Sequence, residues 1–136
     1  MEPDKLVKIR PLVAEAMVPT TTPDRLTAIY LELSGRCFGL ADAIGKAHRE
    51  YVDAERARKA AHVAVKLRCL HAAVPIGKAE AEAEHETAPQ RRAEVEAHAK
   101  YVELREVHRA AQDVMSAIQM RISWAKAEYQ QSGRQT

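Results

Sequence analysis

The residues with the most chemistry in them lie between positions 56 and 78. This stretch holds Arg56, Arg58, Lys59, Lys66, Arg68 and Lys78, with His62 and His71, and not one acid. The carboxylates then arrive together, as Glu80, Glu82, Glu84 and Glu86. On a helix turning about 100° per residue, Arg58, Lys59, His62 and Lys66 share a face about 100° wide. A cationic strip of this kind neutralises backbone phosphates and releases their counterions, so binding through it is salt-dependent and blind to base sequence. Lys66 and Arg68 fit less simply, because in an ideal helix they point about 160° apart. The competing reading is a solvated cationic face paired with the Glu run that follows it. Tyr51 is the nearest aromatic able to stack on a base.

Other chemistry finds less purchase. The remaining acids, among them Glu50, Asp53, Glu55, Glu94, Glu96, Glu103 and Glu106, fall beside Lys and Arg at helical spacing, as solvated ion pairs do. No Ser or Cys stands in a pattern that would place an oriented base beside it, and no catalytic residue is expected. The six histidines lack the HExxH or paired-ligand spacing of a metal site, and His108 falls within an apolar seam. Cys37 and Cys69 lack CxxC spacing and sit in apolar helical patterns, which suits buried reduced thiols. Neither a metal nor a cofactor is expected. No apolar run reaches the ~18 residues of a membrane span and the N-terminus lacks a signal-peptide pattern, so the expected location is the cytoplasm, the host's if the chain is phage-encoded.

What must position the basic strip is helix. The chain has 136 residues, a formal charge of only +2, one Phe and one Trp, and abundant Ala, Glu, Arg and Lys. That is the composition of long helices in a thin bundle, not of a thick globular core. One seam at alternating steps of four and three runs through Ala97, Tyr101, Leu104, His108, Ala111, Met115, Ile118, Ile122, Ala125 and Tyr129. A second runs through Leu26, Tyr30, Leu33, Cys37, Leu40, Ile44, Ala47 and Tyr51 and onward to Ala72.

These patterns predict an N-terminal helical arm over 1–19, a first long helix over 23–74, an acidic linker over 75–90, a second long helix over 91–130 and a disordered tail over 131–136. Thr22, Pro23 and Asp24 make a strong helix start, and Pro75 with Gly77 a stop. Two long helices so joined must run antiparallel to bury both seams. The expected fold is therefore all-α: an antiparallel long-helix hairpin with a short N-terminal arm. Apolar residues off the seam, namely Val102, Val107, Val114 and Trp124 together with Ile118, predict assembly into a homo-oligomer.

The order of parts, with Val65-Lys66-Leu67-Arg68 closing the first long helix and Ala117-Ile118-Gln119-Met120-Arg121 in the second, resembles the UvsY-like recombination mediators of T-even phages. That resemblance implies a helical, oligomeric protein that binds single-stranded DNA without sequence preference, with a recombinase or a single-strand-binding protein as further partners. It places the family's Lys-x-Arg box on Lys66 and Arg68. The expected function is thus a non-enzymatic single-stranded DNA-binding accessory protein of recombination, repair or replication, acting through Arg56, Arg58, Lys59, His62, Lys66 and Arg68. The alternative is a structural or inhibitory helical module, such as a phage scaffold or a blocker of a host factor, that meets proteins and ignores nucleic acid.

Overall fold

A computed structural model describes residues 3–134, with side chains from residue 8 onward. Four helices occupy almost all of it: α1 (Pro3–Ala16), α2 (Pro23–His71), α3 (Ile76–Glu86) and α4 (Ala88–Arg134). Among the described residues there is no strand, and no helix is long and apolar enough to cross a membrane. The chain divides into two compact units, one of Met1–Ala43 with Leu104–Thr136 and one of Ile44–Glu103.

In the first unit, α2 starts where its residues require. The Thr22 hydroxyl accepts the Arg25 N–H at 3.3 Å, Pro23 opens the helix without missing its own N–H, and Asp24 lies on the positive end of the dipole. From there Leu26, Ile29, Leu33, Cys37 and Leu40 turn inward, and α4 supplies Leu104, Ala111, Val114 and Ile118. Leu26, Leu33, Cys37 and Leu40, like Leu104, Ala111 and Ile118, lie on the expected seams, whereas Ile29 and Val114 are buried one position off them, beside the half-buried Tyr30 and Met115.

The N-terminal arm is a single helix that carries Pro11 within it. It belongs to this core through Ile9, Leu12 and Ala16. Its end is fixed by polar contacts as well. Arg25 forms a two-pronged ion pair with Glu15 at 2.6 and 2.7 Å, and the Thr21 hydroxyl donates to the Glu15 carbonyl at 2.9 Å. Arg121 of α4 donates to the carbonyl of Ala16 at 2.9 Å, an acceptor that the end of α1 leaves without a helical partner, and to that of Pro19 in the following turn at 3.2 Å.

In the second unit the partners show direction. Glu50 of α2 meets Lys100 of α4, and Arg58 further along α2 meets Glu94. Numbers rise on one helix as they fall on the other, so the two segments are antiparallel. Between them His48 and Tyr101 lie 5.1 Å apart by ring centroids, Tyr51 and His98 4.8 Å, and Tyr51 stacks on Tyr101.

The ends of the elements depart from the sequence expectations in three places. α2 stops at His71 and not at 74: the Val74 N–H returns to the Cys69 carbonyl and the Ala73 N–H to that of Leu70, a Schellman closure with Ala73 in the left-handed region at φ 56°. The acidic linker contains an 11-residue helix, α3, which holds Gly77 in its first turn. Finally, α4 opens at Ala88 and continues to Arg134, so residues 131–134 of the expected disordered tail are helical. Ser132 returns its hydroxyl to the Glu128 carbonyl at 2.7 Å, and the last two residues lie outside the described part.

Candidate nucleic-acid interface

The basic segment of α2 lies wholly in the second unit, and most of its cations meet a carboxylate of the chain itself. Arg58 is half-buried and ion-paired with Glu94 of α4. Lys59 reaches back one turn to Glu55 at 2.6 Å, and this holds the Glu55 carboxyl below its usual range. Lys66 donates to Glu80 at 3.3 Å and Arg68 to Glu86 at 2.5 Å, both across to α3. The Glu86 carboxylate pushes the Arg68 guanidinium further up. Arg56 is exposed and His62 half-buried.

How α3 sits explains the opposed directions of Lys66 and Arg68. Ala79 and Ala83 of α3 are buried against Val65 and Cys69 of α2, with Val74 packed at the edge. At about 100° per residue, Lys66 and Arg68 fall roughly 80° to either side of the ridge made by Val65 and Cys69. On α3, Glu80 falls on one side of the Ala79–Ala83 line, and Glu82 and Glu86 on the other. The two cations therefore straddle the short helix and grip it from both flanks. The Cys69 thiol donates to Glu82 at 2.8 Å, and that bond to a carboxylate, with burial, pushes the thiol up from its ordinary range.

Two further surfaces adjoin the strip. Tyr51, Arg58, Arg91, Glu94, Val95 and His98 line one groove. Tyr51, the expected stacking platform, already has Tyr101 and His98 against it. Val63, Leu67, Leu70, Val74 and Ile76 line another groove, and all but Val74 are more than half exposed. Among the described residues no group of three or more His, Cys, Asp or Glu is placed to hold a metal ion.

The residues expected at an oligomer interface divide. Val114 and Ile118 are buried in the first unit's own core, which takes them off the surface. Val102 and Val107 are half-buried, the latter in a groove shared with Ile9 and Val13 of α1, whereas Trp124 is exposed. The 117–121 segment is structural within its unit: Ile118 is core, the Gln119 amide donates to the Tyr30 hydroxyl at 2.8 Å, and Arg121 holds the α1 terminus. Sequence reasoning missed Arg91 and His98 beside Tyr51, and the individual pairings of Glu80, Glu82 and Glu86. The only signal for the latter was the abrupt change of charge sign at position 80.

No protein-family model, no curated protein and no solved structure matches this chain.

Proposed function

We propose that the chain is a non-enzymatic, oligomeric accessory protein that binds single-stranded DNA through its backbone, in recombination, repair or replication. Arg56, Arg58, Lys59, His62, Lys66 and Arg68 make the contacts. The observation that supports this reading is the convergence of Lys66 and Arg68 on one narrow anionic element. Carboxylate oxygens of α3 stand where phosphate oxygens would be held. Oligomerisation is supported by large apolar side chains left in water, among them Leu31, Phe38 and Trp124 in the first unit and Leu67, Leu70 and Ile76 in the second. Repeating a weak cationic grip in several subunits raises affinity through effective concentration.

The test is fluorescence anisotropy on labelled oligonucleotides across a salt series, with molar mass by light scattering in parallel. Each single-strand phosphate contact contributes about −0.7 to the slope of log K against log salt. Replacing Lys66 and Arg68 by Ala is expected to flatten that slope by about 1.4 per bound subunit, alike on every base sequence. Absence of binding at low salt overturns the proposal.

A second reading, a helical module that meets only proteins, draws on the same surface. Its support is the internal pairing of the cations beside an open apolar groove of Val63, Leu67 and Leu70. It predicts self-association with no response to any oligonucleotide.

A further inference from the structure

We infer that α3 is a built-in anionic competitor, an acidic helix that occupies Lys66 and Arg68 until a nucleic-acid strand displaces it. This rests on the DNA-binding reading above. The contacts give the reason for competition: Glu80 and Glu86 take the hydrogen bonds that phosphates would take, one from each flank of the Val65–Cys69 ridge. A strand cannot use both cations while α3 keeps them.

The same contacts show that α3 is releasable. Its buried apolar side chains are the small ones of Ala79 and Ala83, while its largest, Ile76, is 80% exposed. Both ion pairs to α2 stand in water, with Lys66 43% and Arg68 60% accessible, where such pairs contribute little. Exchange of carboxylate for phosphate preserves the number of charge-assisted bonds. Once off its seat, an 11-residue helix is too short to persist alone. Displacement is therefore melting of the segment between Ala72 and Thr87. The four glutamates of α3 then move away from the incoming phosphates, which repel them.

Because only the open form binds DNA, its small population lowers the chain's apparent affinity, and weakening the pairs should raise both. The experiment compares E80Q/E86Q with E84Q/E96Q in the full chain, by anisotropy on an oligo-dT probe. The control pair removes the same charge from exposed glutamates that make no side-chain bond to α2. Hydrogen exchange of residues 76–86 is followed in the unaltered chain with and without the probe. The expected result is about three- to thirty-fold tighter binding for E80Q/E86Q than for the control, from two exposed pairs, with faster exchange across 76–86 when the probe is bound. Equal affinities for the two double variants, or unchanged exchange in a chain that does bind, overturn the inference and leave the DNA-binding reading standing. Failure of every variant to bind at low salt overturns both.

Discussion

Because α3 covers Cys69, the thiol reports on how firmly that helix is seated. Cys69 is 2% exposed beneath Ala79 and Ala83. Besides the Cys69–Glu82 hydrogen bond and Val74 at the edge, docked α3 differs from undocked α3 chiefly in the burial of two Ala methyl groups and part of Val65, together worth roughly 3 kcal/mol at ~0.8 kcal/mol per buried carbon. The edge pairs add no more than ~1 kcal/mol each once solvent screening is allowed for. Opening by roughly 3 kcal/mol corresponds to about a hundredfold protection of Cys69, at ~1.4 kcal/mol per factor of ten. Ala83→Asp places a carboxylate at a fully buried position. Burying that charge costs several kcal/mol, more than the seat returns, so α3 should come off. Iodoacetamide labelling at pH 7.5, with peptides resolved by mass spectrometry, should show Cys69 alkylated about a hundredfold faster in A83D. Cys37, which lies in the first unit, should label at its original rate. A rise of less than threefold at Cys69, or equal acceleration at both thiols, refutes the seating of α3 by these contacts.

The remaining predictions concern pH and the helix ends. The raised Cys69 thiol contributes stability that is fully present below the ordinary thiol range and is lost as pH rises through the raised value, so α3 should loosen in alkali, seen as faster exchange over residues 76–86. Conversely Glu50 and Glu55, lowered chiefly by hydrogen bonds from Lys100 and Lys59, support the fold above the ordinary carboxyl range, and their contribution fades as pH falls through the lowered values. Arg121→Ala removes charge-assisted bonds to the α1 terminus and should cost about 1.5–3 kcal/mol in urea unfolding, with Lys a poor rescue because one ammonium lacks the planar fork. Ala73→Gly should stabilise by about 1 kcal/mol, because Ala73 sits in the left-handed region where a Cβ is a burden.

The long helices were legible because their apolar positions recur at steps of three and four, and Leu26, Leu33, Leu40, Leu104, Ala111 and Ile118 are indeed buried. The start at Thr22 was legible for a local reason, a hydroxyl followed by Pro and Asp. Other features lay beyond periodicity. The run KAEAEAEHE alternates every second residue and offers Ala where a seam would carry Leu, so it reads as a solvated linker or a frayed helix. It folds as α3 because two methyl groups find a complementary ridge on α2. Likewise Ala73 carries no turn signature, since the left-handed position there is imposed by the closure around it. Val114 reads as spare apolar surface on a two-helix seam, but α1 adds a third helix to that unit, and the side chain is buried.

The cationic site shows why direction on a helical wheel is a poor guide to shared ligands. On an ideal helix Lys66 and Arg68 point about 160° apart, which argues against a shared contact. In the structure both reach the same short helix from an unbroken α2, because the ridge between them seats α3 and long side chains reach around it from both flanks. The spacing that seems to separate Lys66 from Arg68 therefore sets the width of what they can hold, about that of one helix.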